Sequence, residues 1–274
     1  MSLTAITTLR RNLSEWAERP ANRRQFCDEQ QHLLQRHLGD PGRRPQVHVA
    51  AWMLGTWHLG HGLAQVLDGN GDGFDEARTG QALRRTALLL RAEHQAGPGK
   101  RGRLERLPFS LAHGAWTALL GLALHDPAAE RLYDLLLDLP DGAFGPEDQL
   151  ALFARELLAL RSGQRPTPGQ RLGPYEPVLQ HWHGERRLLA QSIAEVLELH
   201  LQQANRRGGT FDDPCLWLYP VEAVAVRHVR DWLELPSAKV EHALMFTNLG
   251  TMAPSGAWPS HPLLAGLERE LRRR

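Results

Sequence analysis

From Pro174 to Leu235 the chain reads PYEPVLQHWHGERRLLAQSIAEVLELHLQQANRRGGTFDDPCLWLYPVEAVAVRHVRDWLEL. Leu188, Leu189, Ile193, Val196, Leu197 and Leu201 recur at the three- and four-residue spacing of a buried helical face. Val221, Val224, Ala225, Val229, Trp232 and Leu233 repeat the pattern after Pro220. The stretch therefore reads as two long helices, the first running from Pro174 through His181-Trp182-His183 to His200. Asn205 to Gly209 breaks them apart, and an aromatic, acidic connection follows from Phe211 to Tyr219. A short polar turn would suffice to join two helices. Aromatics beside paired acids point instead to a contact surface, with Asp212, Asp213, Trp217 and Tyr219 at its centre and Trp182 and His183 beside them. The other reading is that Trp217 and Tyr219 plug the ends of the core. Asp213-Pro214 is also a plain turn signal, compatible with either.

The same helical period extends outward over the whole chain. Leu3 to Trp16 marks a first helix, and Pro20 opens a second that ends near Gly39-Asp40-Pro41. Pro45 opens a third, from Val47 to Leu67, apolar on most sides and therefore central. Its Gly55, Gly60 and Gly62 each cost about 1 kcal/mol of helicity relative to Ala. A second helix packed closely against them would offset that. A fourth helix covers Glu76 to His94, with Leu83, Ala87, Leu88 and Leu90 inward. Further helices are expected after Pro108, after an Asp126-Pro127 cap, and after Gly145-Pro146. A short one capped by Ser237 should contain Val240 to Phe246, and a last one should run from Leu263 to Leu271. No run alternates with period two between strand-type turns. The expected fold is all-α: an irregular stack of antiparallel helical pairs, about ten helices, with no sheet core and no internal repeat. Ser162 to Gly173, rich in proline and glycine, is the candidate linker. It would divide an N-terminal region (1–162) from a C-terminal one (174–274) across residues 163–173, unless the two pack as a single domain.

Composition narrows the function. With 274 residues and 42% hydrophobic side chains the chain can bury a full core. A net charge of +1 lacks the basic excess of a dedicated nucleic-acid binder. Cys27 and Cys215 stand far apart, in no metal-like spacing, which fits a reducing compartment. With no signal-peptide pattern and no uncharged run of membrane-spanning length, a soluble, cytoplasmic protein is expected, with neither nucleic acid nor membrane as partner.

Chemistry-bearing motifs are incomplete. His58 and His61 have a workable metal-ligand spacing, and Glu29 and His32 match half of a helical-bundle di-iron motif, but no second copy exists. A metal-dependent hydrolase using His58, His61 and Glu29 or His32 is the enzymatic alternative. A helical adaptor with several weak partners is another. Asp68, Asn70 and Asp72 begin a calcium loop, with Gly73 at its sixth position. Thr79 then stands where a bidentate Glu belongs, and Asp75 where an apolar residue does. There is no nucleophile elbow and no phosphate-binding Gly-rich loop. The expectation is a chain with no cofactor, no metal and no catalysis of its own.

Tyr175, Trp182, the helix to His200, Phe211-Asp212-Asp213, and Leu218-Tyr219-Pro220-Val221-Glu222 leading into a helix with Arg227 and Arg230 together resemble the C-terminal half of large all-α immunity proteins. Those proteins accompany bacterial polymorphic and type VI-delivered toxins. The resemblance covers about the last hundred residues, and the pair from Trp52 to Leu90 is similar in style. It implies a stoichiometric inhibitor that binds one cognate toxin domain and blocks its active site or substrate access. The balanced charge then implies a toxin that is not strongly basic, or an acidic face offset elsewhere on the chain.

Overall fold

The computed structural model describes residues 2–96, 107, 109–165, 172–204 and 206–272. These are 72% helical and contain no strand, so the fold is all-α. The elements are α1 (Ser2–Glu18), α2 (20–37), α3 (Arg44–Leu67), α4 (Gly73–Ala96), α5 (Leu111–Ala123) and α6 (Glu130–Leu137). They continue with α7 (Gln149–Arg161), α8 (Glu176–Gln180), α9 (Arg186–Gln203), α10 (Val221–Trp232), α11 (Asn248–Thr251) and α12 (Pro262–Arg272). Within α2 the stretch Arg23–Asp28 widens to a π-helix. No described helix is long and apolar enough to cross a membrane.

The α3–α4 hairpin is the centre. A Cβ on Gly80 would lie 2.3 Å from the Leu59 nitrogen and 2.6 Å from the Gly55 carbonyl, and one on Gly62 would lie 2.4 Å from the Gly73 carbonyl. The two backbones therefore touch, and dispersion between them offsets the helicity lost at the glycines. Gly60 does the same for α1, whose Trp16 ring fills the space where a Cβ would sit. Around the hairpin, α1 and α2 cover α3, while α5, α6 and α12 cover α4. Beyond α5, α10 and α7 form the next layer, and α9 closes against α10.

Every residue of α4 from 77 to 89 is buried, not only the apolar stripe expected from its pattern. Its arginines are tethers. Arg78 donates to the Leu124 and Ser255 carbonyls (3.3 and 2.7 Å). Arg85 pairs with buried Asp126 at 2.9 Å and donates to the Ala128 carbonyl. Arg84 reaches Asp213. Each buried cation thus has a partner contributed by a distant stretch of chain, without which its burial would be prohibitive.

Three local expectations are corrected. The helix expected from Pro174 to His200 is interrupted at 181–185, where Gly184 N–H donates to the His181 carbonyl in a turn. His181 Nδ1 there meets the Ser192 hydroxyl at 3.0 Å. The segment after Ser237 is extended, and only Ala243–Phe246 forms a 3₁₀ turn. Half-buried Ala238 and Val240 alternate with exposed Lys239 and Glu241, a period-two pattern. Asp126 closes a turn by accepting from Ala128 N–H, and α6 starts later, at Glu130. One apolar cluster, running from Leu9 through Phe153 to Leu249, draws residues from both sides of the expected 163–173 linker, of which residues 166–171 lie outside the described ones.

Candidate functional site

The 211–219 connection is built inward. Asp213 accepts from Cys215 N–H at 2.9 Å, capping the turn Pro214–Leu216. Its other oxygen meets Arg84 Nη2 at 2.9 Å. Arg84 is fully buried and lies 4.1 Å over the Trp52 ring. Burial alone would raise the Asp213 carboxyl, but the Arg84 guanidinium and the Cys215 N–H hold it below the usual carboxylate range. Trp217 Nε1 donates to the Asp212 carbonyl, the Tyr219 hydroxyl to the Ala123 carbonyl, and the Cys215 thiol to the Thr56 carbonyl.

His200 locks the far side. Its Nδ1 lies 2.9 Å from Glu222, its Nε2 lies 2.7 Å from the Leu216 carbonyl, and its ring stacks on Phe211 at 4.0 Å. Both nitrogens face acceptors, so the imidazolium is the form that satisfies the site. Burial pushes its pKa down, yet the Glu222 charge and the hydrogen bonds overcome this and raise it above the ordinary histidine value.

The expected contact edge is therefore corrected. Trp217 is 8% exposed, and Tyr219 and Trp182 are each 1% exposed. Asp213 is engaged with Arg84, and the Trp182 carbonyl accepts from Arg230. Only Asp212 and His183 of that set face solvent. Trp217 and Tyr219 are core plugs, and their polar atoms find backbone partners inside.

The histidine pair of α3 finds a partner that the spacing did not name. His58 Nδ1 and His61 Nδ1 share the two oxygens of Glu76, on α4, at 3.3 and 2.8 Å. Burial opposes ionisation of Glu76, but these two hydrogen bonds prevail and bring its pKa down to about 2. Glu29 and His32 are exposed on α2, with Glu29 facing Arg24, so the four residues of the hydrolase alternative do not assemble. Among the described residues no three His, Cys, Asp or Glu side chains converge as metal ligands. In the 68–73 turn, Asp68 pairs with Arg10 and Asn70 accepts from Asp72 N–H, which closes the turn locally.

A different residue stands in solvent. Trp232, the last residue of α10, is 59% exposed. The Arg161 guanidinium lies 4.6 Å from its ring and 5.4 Å from that of Tyr133. Arg161 is itself fixed by a two-pronged pair with Glu130, at 2.6 and 3.0 Å. Beside it, the His125 and His228 rings lie 4.4 Å apart, with His125 in the left-handed region at φ 60°. Burial, then the neighbouring His125, brings His228 down to about 4.

No family model matches this chain, and no curated protein or solved structure does either. The resemblance to immunity proteins therefore carries no family assignment, and the site is argued from these residues. Sequence reading placed Trp232 on the inward face of α10, because it shares a stripe with Ala225, seven residues before it. Periodicity gives the face of a helix but not the length of the neighbour that covers it. The available signal was its position: the helix ends there, between the exposed acids Asp231 and Glu234.

Proposed function

We propose that this chain is an immunity protein: it neutralises one cognate toxin domain by stoichiometric binding, without turnover. The observation that carries the reading is Trp232, a tryptophan held in the open and held still. An exposed indole with its rotamer fixed by Arg161, and Arg161 fixed by Glu130, has little side-chain freedom left to lose on binding. Tryptophan and arginine are also the residue types on which interface energy concentrates, at about 2–4 kcal/mol per anchor. The contact surface is thus the corner where α7, α10 and the start of α6 meet.

The test is recovery of the tagged chain from its own cells, followed by mass spectrometry of what co-elutes. The reading expects one partner in equal amount, carrying a C-terminal toxin domain whose activity the purified chain abolishes at a one-to-one ratio. Recovery of many substoichiometric proteins would favour the adaptor reading. A partner whose activity is unchanged at saturation would remove the inhibitor reading.

A further inference from the structure

The last helix, α12, is fastened to the central hairpin through a contact between two histidines. It lies on α4, and its Gly266 approaches Leu38, just past α2. Leu264 and Leu267 form its buried side, in one apolar cluster with Leu34, Leu54 and Leu83. Two polar contacts fix the chain that leads into it. Arg78 donates to the Ser255 carbonyl at 2.7 Å and lies 5.5 Å from the Trp258 ring. Three residues after Trp258, the His261 ring meets the His58 ring edge-on, with centroids 5.6 Å apart.

The histidine contact suits neutral rings. The Glu76 carboxylate can only accept, so His58 Nδ1 carries the proton of their hydrogen bond, and Nε2 of the neutral ring is bare. That Nε2 is buried without a partner among the described residues, and so is Nδ1 of His261. Charging His261 puts a proton on both of its nitrogens. The buried one then becomes a donor with no acceptor, on a cation. The acids on hand are engaged. α3 presents His58, with His61 behind it. α4 presents Glu76, whose two oxygens those rings take, and Arg78, which pairs with Asp75 at 3.8 Å. The contact past α2, Leu38, is apolar, and α12 has no acid before Glu268. Burial and the His58 charge both hold His261 below the ordinary histidine value.

We infer that α12 is an acid-released strap: it stays docked on α4 while His261 is neutral and lifts when the His58–His261 contact is charged, opening one side of the apolar cluster beneath it. Undocking gives the His261 nitrogens to water, where the charge costs little. A histidine whose pKa is lower docked than free favours docking above its ordinary value of 6.5, and that preference is lost as pH falls below it. Arg78 keeps its charge over this range, so the chain near Ser255 stays held and the release is confined to residues 259–272. The inference does not depend on the binding of a partner.

Hydrogen exchange read by mass spectrometry tests it on the full chain at about pH 7.5 and about pH 5.5, with rates corrected for the intrinsic effect of pH. Protection of the α12 amides should fall about fivefold at the lower pH, while that of α10 does not fall. In His261→Leu, α12 should keep the same protection at both pH values. If that variant leaves α12 unprotected throughout, His58→Gln decides: it removes one of the two charges and should shrink the loss seen in the wild type. Equal protection of α12 at both pH values in the wild type overturns the inference. So does a loss of the same size in a docked His261→Leu or an undiminished loss in His58→Gln. A loss shared by α10 overturns it as well, because it would mark general acid unfolding.

Discussion

Trp217 and Trp232 stand fifteen residues apart and have opposite fates. The first sits among paired acids and prolines, where a surface loop is expected, and is buried. The second sits on a helical stripe, where core is expected, and is exposed. The difference lies in where their polar neighbours find counter-charges. Asp213, beside Trp217, is claimed by Arg84 from inside the molecule, and the connection is drawn in with it. Arg161, beside Trp232, is claimed by Glu130 at the rim, and the stack stays outside. Acids next to aromatics mark a surface only when no buried cation needs them.

The sharpest way to break this contrast is at the plug. Asp213→Ala strands the Arg84 guanidinium in the core and should cost about 3–5 kcal/mol of stability, read from urea unfolding. Asp212→Ala next to it should stay within about 0.5 kcal/mol. Equal effects would mean that the connection is a surface after all. Trp217→Ala should cost a similar 3–5 kcal/mol by leaving a cavity, with Trp232→Ala below about 1 kcal/mol in the same assay. A smaller loss, about 1–3 kcal/mol, is expected for Gly80→Ala, because the new methyl meets α3 backbone and displaces the helix that aims Arg84.

The smallest effect is a pH dependence, and its first source is on the plug side. The pKa of His200 is raised on folding, so its contribution is complete below the ordinary histidine value of 6.5 and is lost as pH climbs through the raised value. Urea midpoints of the wild type should therefore fall from pH 6.5 upward. His200→Gln should be less stable at low pH and flatter over the same range. An unchanged slope would show that the buried ring is not an imidazolium. On the acid side the sign reverses. Glu76, depressed to about 2, contributes stability above its ordinary value of 4.5 and loses it as pH falls.

Much of the fold was legible because its cues are local. Pro20 and Pro45 opened helices, and Gly55, Gly60 and Gly62 announced a close neighbour that proved to be α4 and Trp16. What escaped depends on partners far along the chain. Nothing within a helical turn of Arg78, Arg84 and Arg85 indicates that Ser255, Asp213 and Asp126 will meet them. The break at His181–Gly184 was hidden by apolar residues that continue on both sides of it. The candidate site was the least legible part. Glu130, Arg161 and Trp232 lie on three different helices, and the spacing within any one of them does not announce the stack.

The most direct measurement is calorimetric titration of the recovered partner into three proteins: wild type, Trp232→Ala, and Asp212→Ala with His183→Ala, the two solvent-facing members of the expected edge. A loss of about 2 kcal/mol or more, roughly 30-fold in affinity, is predicted for Trp232→Ala, with the double variant matching the wild type. Full affinity in Trp232→Ala and a loss in the double variant would return the interface to the 212–219 connection and contradict the account.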